Sequence, residues 1–329
     1  MIRLIVIRPY KHDAFEGIEC DVRHIRINEH QYRALSYEWG PATDNDPTIL
    51  LGGHITVIRR NLFEALLRLR PLVYGDETID ASIWIDALSI NQADTLERNH
   101  QVHLMGMIYS RATQVLIWLG LTELLSEHAL AAINRGAYES YEKTDNVLDS
   151  LYPTVLRVCQ SAYWNRVWIQ QEVYLAKEAL IMCGWKQLLY YESFDEILGL
   201  AMHEATPGAR EISAKIKQSA ANALVTRKRV PGINRLVIWL KLACRMDLQA
   251  SEPRDLIYAM LGISVDCQNG GLRPDYGKPL LDVYLETVVF CGLETNRFRQ
   301  TLAEKLGLLW NDGMEQNIRE YSKKASGTQ

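Results

Sequence analysis

Apolar runs separated by polar turns indicate a β-sheet in the first part of the chain. Five of these runs are predicted to be strands: residues 2–7 (IRLIVI), 32–39 (YRALSYEW), 82–88 (SIWIDAL), 114–119 (QVLIWL) and 179–183 (ALIMC). Residues 48–57, interrupted by Gly52 and Gly53, fit a hairpin.

Helical spacing lies between several of these strands. Leu62, Leu66 and Leu69 predict a helix over residues 61–69 that Pro71 ends, and Asp94 with Glu97 three positions later predicts the start of another. Because strands alternate with helices, we expect an α/β fold with a mostly parallel sheet and flanking helices.

The pattern changes after about residue 190, where the remaining chain is predicted to be helical. We therefore divide it into an α/β domain, residues 1–190, and a helical C-terminal region, residues 191–329. A polar, alanine-rich stretch over 204–232 is the best linker candidate, residues 121–150 fit a polar helical insertion, and residues 319–329 are expected to fray.

Composition is that of an ordinary globular protein, with 48% hydrophobic and 23% charged residues. A net charge of -4 gives no basic field for nucleic acid, and no run approaches the roughly 20 apolar residues that a membrane span needs. Six scattered cysteines without a C-x-x-C pair fit buried or half-buried thiols of a reducing compartment, and no histidine spacing suggests a metal. A cytoplasmic protein is the expectation.

The segment 161–172 (SAYWNRVWIQQE) is the most distinctive part of the chain, and we read it as the start of an amphipathic helix. Trp164, Trp168 and Glu172 are spaced at i, i+4 and i+8, so they would share one stripe. Indole rings can stack on a flat ligand, and apolar walls can hold a carboxylate away from water. This combination favours chemistry on a nucleotide.

Four blocks resemble the fungal heterokaryon incompatibility (HET) domain and its usual helical extension. They are residues 32–40 (YRALSYEWG), 84–92 (WIDALSINQ), 163–172 (YWNRVWIQQE) and 253–262 (PRDLIYAMLG), the last followed by 274–276 (PDY). The first three fall within roughly residues 30–185. Ser89 stands where the family usually has cysteine, so any role of that thiol is absent.

The HET domain is in turn remotely similar to the TIR domain, and this resemblance implies a TIR/flavodoxin-like sheet and an enzyme that hydrolyses NAD(+) or NADP(+). Residues 34–37 resemble the first TIR strand, and Trp168 with Glu172 resembles the W-x-x-x-E of the TIR helix, whose glutamate cleaves NAD. It also implies self-association on activation, an upstream signalling protein, and programmed cell death or innate immunity as the setting. No cofactor is implied beyond the substrate.

Glu172 is accordingly the candidate catalytic residue. A neutral pyridine leaves without protonation, so one carboxylate that stabilises the oxocarbenium-like transition state could suffice, where most glycosidases use two. The candidate substrate-binding residues lie mainly at strand ends, where open α/β sheets bind ligands: Ser36, Tyr37, Trp39, Gly40, Asp86, Asn91, Gln92 and Trp168.

Each candidate has a structural alternative. Glu172 could pair with a neighbouring arginine, Trp164 and Trp168 could belong to the core, and Asp86 could cap a loop. The corresponding functional alternative is a non-catalytic module for homotypic interaction. A Rossmann oxidoreductase and a serine hydrolase are disfavoured, because neither G-x-G-x-x-G after a strand nor G-x-S-x-G is present.

Overall fold

The computed structural model describes residues 1–9, 17–74, 81–120, 127–136, 145–184, 187–203, 209–229, 234–268, 271–293 and 295–326. Its strands are β1 (Ile2–Ile7), β2 (Glu19–Ile25), β3 (Arg33–Tyr37), β4 (Thr48–Leu51), β5 (His54–Val57), β6 (Ser82–Trp84), β7 (Val115–Trp118), β8 (Ala179–Cys183) and β9 (Gln187–Tyr190).

The α-helices among these residues extend from the first domain to the end of the chain. They are α1 (Arg60–Tyr74), α2 (Asp86–Ser89), α3 (Thr95–Arg111), α4 (Glu127–Asn134), α5 (Asp145–Cys159), α6 (Ile169–Tyr174), α7 (Tyr191–His203), α8 (Arg210–Gln218), α9 (Ala220–Arg229), α10 (Leu236–Arg245), α11 (Asp255–Leu261), α12 (Leu280–Phe290), α13 (Asn296–Lys305) and α14 (Asp312–Ser326). The fold is α/β with a helical C-terminal region, as predicted.

The described strands form one sheet in the order β5-β4-β2-β1-β6-β3-β7-β8-β9. Strands β6, β3, β7 and β8 are parallel and form its centre. The expected mostly parallel sheet is wrong for the sheet as a whole, because β1 pairs antiparallel with both β2 and β6, and hairpins close both edges. The sheet is mixed.

Both faces of the central strands are buried, which explains their continuous apolar runs. Alternate residues point to opposite faces. Leu35 and Leu116 pack against the helix α1 side, whereas Ala34 and Ile117 belong to the larger core on the other side. That larger core also contains buried residues of α10, α11 and α12, so the C-terminal helices pack on the same hydrophobic centre as the sheet.

A local capping signal sets the start of α3, whereas the expected stop signal of α1 does not end that helix. The Asp94 carboxylate accepts hydrogen bonds from the backbone N–H groups of Leu96 (2.9 Å) and Glu97 (3.1 Å), which confirms the predicted start of α3. Pro71 lies inside α1 and does not end it. Asn61, in the first turn of this helix, donates to the Glu38 carbonyl and accepts from the Trp118 indole (2.8 Å).

Two segments are more regular than predicted. The described part of the expected linker holds α8 and α9, and helix α14 continues through the expected frayed end to Ser326. Residues 204–208, 230–232 and 327–329 of these predictions lie outside the described residues. The insertion over 121–150 contains α4 and the beginning of α5, while 121–126 and 137–144 also lie outside.

Candidate functional site

A cavity of about 640 Å³ lies at the carboxyl ends of β3 and β6. The two strands are parallel neighbours, with Ala34 opposite Trp84, so the loops that follow them meet at one edge of the sheet. Five of the predicted site residues line this cavity: Trp39, Gly40, Asp86, Gln92 and Trp168. Gly40 has a φ of 73°, a left-handed conformation that glycine adopts without strain.

Asp86 is the most highly connected carboxylate of the cavity wall. It accepts hydrogen bonds from the Trp39 indole (2.9 Å), the Ala87 backbone N–H (2.8 Å) and the Tyr37 hydroxyl. Burial raises its pKa, against the opposing effect of the Arg166 guanidinium and these donors. Tyr37 thus acts on the cavity through Asp86 and does not itself line it.

Arg166 also lines the cavity, where its charge acts on both Asp86 and Glu172. Its guanidinium donates to the Tyr37 carbonyl. Burial alone would lower the arginine pKa, but the two carboxylates outweigh that effect and hold it above its ordinary value. The cation therefore stays charged between two acids.

Glu172 lies behind this wall and does not line the cavity. Only 2% of the residue is exposed, and burial raises the pKa of its carboxyl to about 7, despite Arg166 nearby. The Ser36 hydroxyl donates a hydrogen bond to the Glu172 carboxylate. The Tyr163 hydroxyl, 2.6 Å from Ser36 Oγ, must then donate to Ser36, because a serine has one proton to give.

The opposite wall is formed by the C-terminal region, by α3 and by Trp168 at the start of α6. Asp255 accepts a hydrogen bond from the Tyr276 hydroxyl (2.5 Å) and another from the Trp168 indole, and burial raises its pKa. The Arg98 guanidinium lies 3.8 Å above the centre of the Tyr276 ring. Arg98, Trp168, Asp255 and Tyr276, which we call the helical wall, all line the cavity.

Comparison with known proteins identifies the segment that carries most of this geometry. The family described as "Heterokaryon incompatibility protein (HET)" matches residues 32–172. This segment is similar to the HET domain. The chain is also 25% identical to "Heterokaryon incompatibility protein 6, OR allele" of Neurospora crassa, an alignment that covers 78% of this chain. The chain spans 46%, about half, of that relative's length. No solved structure matches.

The stripe predicted across Trp164, Trp168 and Glu172 is wrong at Trp164, because only Trp168 and Glu172 share a helical turn. A 3₁₀ turn over Ala162–Asn165 ends before Arg166, and α6 begins only at Ile169. The break is fixed by pairing with the C-terminal region, since Val167 N–H donates to the Gln249 carbonyl (3.0 Å). Trp164 is consequently a core residue, fully buried and stacked on Phe194 at 5.8 Å.

Two other predicted binding residues do not line the cavity. Ser36 is buried beneath it and holds Glu172. Asn91 is exposed in the loop before α3, where its side chain accepts from the Ala93 backbone N–H (3.2 Å) and shapes the turn. Its backbone N–H donates to Glu97 (2.8 Å), so Asn91 organises the loop that carries Gln92.

Sequence reasoning did not place Asp255 and Tyr276 of the helical wall at the site, and it left Arg98 open between a phosphate clamp and an internal ion-pair partner. Asp255 begins α11, and its carboxylate faces the cavity. The available signal was the block at 253–262 with 274–276, which contains both Asp255 and Tyr276. All six cysteines are free thiols, four buried and two half-buried, as predicted.

Two features are absent from the part of the chain that the structure describes. No helix there is long and apolar enough to cross a membrane. No cluster of three or more His, Cys, Asp or Glu side chains there has the arrangement of a metal site.

Proposed function

We propose that this chain is a signalling protein of the heterokaryon incompatibility type that cleaves the bond between nicotinamide and ribose in NAD(+) or NADP(+). The observation that carries the proposal is the cavity at the ends of β3 and β6, which combines the indoles of Trp39 and Trp168 with the carboxylate of Asp86. Its volume falls within the range of small-molecule sites, about 300–1,000 Å³.

The arrangement of the central strands supports a TIR/flavodoxin-like reading of the domain. Numbered along the chain as first to fourth, β3, β6, β7 and β8 lie in the order 2-1-3-4. Flavodoxin-like sheets have this order, and they bind ligands at the carboxyl ends of their strands. The remote TIR relationship is part of the proposal.

The proposed reaction breaks the C1′–N bond, and its electron pair leaves with the neutral pyridine. Water then adds to C1′, giving ADP-ribose and a proton. A fixed carboxylate stabilises the oxocarbenium-like transition state, and removing one preorganised electrostatic group costs roughly 10²–10³ in rate in other enzymes. Glu172 has this role in the proposal, with a pKa of about 7 that leaves a substantial ionised fraction at neutral pH.

Glu172 must be uncovered before it can meet a ribose, because it lies beneath the cavity surface. Arg166 is the cavity-lining residue whose charge acts most strongly on it. We therefore propose that self-association, triggered by an upstream signalling protein, moves Arg166 and activates the site. A cytoplasmic location is part of the same proposal.

The experiment follows nicotinamide release from NAD and from NADP by the full chain over a series of protein concentrations. Turnover should rise more steeply than protein concentration and fall at least about 100-fold in Glu172→Gln. Glu178→Gln is the matched control, because Glu178 is exposed and six residues away. Absence of turnover in assembled protein, or full turnover in Glu172→Gln, contradicts the proposed chemistry.

The second candidate is a non-catalytic module for homotypic interaction. It is favoured by the satisfied and buried state of Glu172, which Ser36 binds and which does not line the cavity. It predicts concentration-dependent oligomers in light scattering, no nicotinamide release, and undiminished assembly in Glu172→Gln. Asp86→Asn adds a second test, because Asp86 lines the cavity. This substitution should reduce nicotinamide release if the chain is an enzyme, and it should leave assembly unchanged.

A further inference from the structure

Arg98 is the cation of the cavity wall that is still available to a ligand. Arg166 already donates to the Tyr37 carbonyl and lies between two carboxylates. Among the described residues, by contrast, the Arg98 side chain makes no hydrogen bond, and its buried Nε has no partner. Buried polar groups are normally bonded, so this guanidinium lacks the acceptor that its position calls for.

Stacking holds the Arg98 guanidinium in one orientation. Its central carbon lies 3.8 Å from the centre of the Tyr276 ring, and that ring is fixed by its own contacts. The Tyr276 hydroxyl donates to Asp255 (2.5 Å), and its backbone N–H donates to the Asn99 side chain (2.9 Å). A planar guanidinium on an aromatic face keeps its N–H edge free for bidentate binding of a phosphate or carboxylate.

The carboxylates around Arg98 do not take this role. Arg98 lowers the pKa of Asp255 less than Tyr276 and Trp168 do, and the Asp255 carboxylate accepts its hydrogen bonds from those two residues. Glu252 pairs with Arg254 at 3.1 Å. The acceptor that Arg98 lacks must therefore come from outside the described residues.

We propose that Arg98, stacked on Tyr276, is the phosphate-binding residue of the cavity and makes it select a phosphate-bearing nucleotide over the corresponding nucleoside. The proposal rests on the nucleotide-binding part of the proposed function, but it requires no cleavage. It also gives the C-terminal region a role in ligand recognition, because Tyr276 and Asp255 lie outside residues 32–172.

The test measures binding of ADP-ribose and of adenosine to the full chain by calorimetry. ADP-ribose carries a pyrophosphate and lacks the nicotinamide bond, whereas adenosine has no phosphate. Wild-type protein should bind ADP-ribose more tightly, and Arg98→Met should reduce its affinity on the order of 10- to 100-fold, as expected for charge-assisted hydrogen bonds. The affinity for adenosine should be unchanged.

Arg111→Met is the matched control, since Arg111 is exposed on the same helix and does not line the cavity. It removes the same charge and should leave both affinities at the wild-type value. Arg98→Lys keeps the charge if Arg98→Met fails to fold, and it should lose part of the preference because lysine cannot bind bidentately.

Three results would overturn the inference: equal wild-type affinities for the two ligands, no binding of ADP-ribose, or a wild-type preference in Arg98→Met or Arg98→Lys. Failure of the proposed cleavage is distinguishable from these. A chain that binds ADP-ribose through Arg98 but releases no nicotinamide supports phosphate recognition and contradicts the hydrolase.

Discussion

Glu172, the proposed catalytic residue, has a buried and hydrogen-bonded carboxylate whose pKa is raised. Successive residues of β3 point to opposite faces of the sheet. Ser36 therefore lies on the face opposite Leu35 and Tyr37, where it meets Glu172 of α6. Burial disfavours the charged form of Glu172, while Arg166 and the Ser36 hydroxyl favour it. The balance leaves a group that titrates near neutral pH.

This titration predicts how stability depends on pH. The pKa of Glu172 is raised from its ordinary value of 4.5 to about 7 in the folded chain. Between these values the folded chain keeps a proton that the unfolded chain has released, so the free energy of unfolding should fall as pH rises from about 4.5 to 7. The loss is on the order of 3 kcal/mol for such a shift.

Glu172→Gln should remove this contribution, because glutamine has no proton to lose. Urea unfolding at pH 5 and pH 8 should show a smaller fall in stability for the variant than for wild-type protein. Glu178→Gln, at an exposed position, should follow the wild type. Identical pH dependence in Glu172→Gln and wild type would show that burial does not shift this carboxyl.

Among the elements, α6 carries Glu172 and is held at its end by a residue from the C-terminal region. The Lys228 ammonium donates to the carbonyls of Val173 (2.9 Å) and Ala176 (2.7 Å). Val173 lies in the last turn of α6 and Ala176 lies just beyond its end, where helices leave carbonyl acceptors with few internal partners. The basic run 227–229 therefore contains a residue that caps α6.

Lys228→Met should loosen this end of α6. Leaving a buried acceptor unpaired costs about 1–3 kcal/mol, so the variant should unfold at lower urea concentration. Amide hydrogen exchange over residues 169–176 should be faster than in wild-type protein. Lys215→Met is the control on nearby α8, where an exposed pair with Glu211 contributes little. Unchanged exchange in Lys228→Met would mean that the cap does not hold the helix.

Helices α3 and α11 approach through a pair of glycines. A Cβ at Gly106 would lie 3.2 Å from the Cα of Gly262, and a Cβ at Gly262 would overlap the Gln171 side chain and lie 3.3 Å from the Cα of Gly106. The φ of Gly262 is -66°, which any residue adopts, so space alone requires glycine there. The small residues hold α3 and α11 close on the far side of the site.

Gly262→Ala should therefore destabilise the fold by about 1–3 kcal/mol through overpacking. Urea unfolding measures the effect. Gly313→Ala in the first turn of α14 should be neutral or stabilising by up to about 1 kcal/mol, because alanine is the better helix former. A neutral Gly262→Ala would show that Gln171 and α11 adjust to the added methyl group.

Sequence patterns predicted the elements with strong local signals. The strands β1, β7 and β8 are continuous apolar runs, and α3 has an aspartate cap, so each could be located without knowledge of the fold. β2 was missed because its polar residues alternate irregularly and its pairing with β1 defines it. The helix break at Arg166 was also missed, since its cause is the distant strand-like contact with Gln249.

The candidate site divides in the same way. Trp39, Gly40, Asp86 and Gln92 could be placed from the rule that ligands meet strand ends. Asp255 and Tyr276 could not be placed by this rule, because helices from the second half of the chain bring them to the cavity through long-range packing. The positions of Asp255 and Tyr276 in the sequence do not indicate that these residues lie near the cavity.

At the scale of the molecule, the cavity and the core both join the two halves of the chain. The first 190 residues supply Asp86 and Arg166 to one wall, and the C-terminal region supplies Asp255 and Tyr276 to the other. Backbone bonds cross between the halves in both directions, from Val167 to Gln249 (3.0 Å) and from Gln249 to Asn165 (2.6 Å). The predicted division at residue 190 therefore separates parts that share one hydrophobic core.

This shared core predicts that residues 1–190 do not fold alone. Removing the rest would uncover Trp164, which stacks on Phe194, and the surfaces of α3 and α6 that α11 covers. A chain that loses such burial loses much of a net stability of only about 5–15 kcal/mol. The fragment 1–190 should lack a cooperative urea transition, whereas the full chain should unfold in one. Mixing it with 191–329 should restore the transition if both surfaces are needed. A stable fragment 1–190 with native-like unfolding would instead make the sheet an independent domain, and would confine the helical region to completing the cavity.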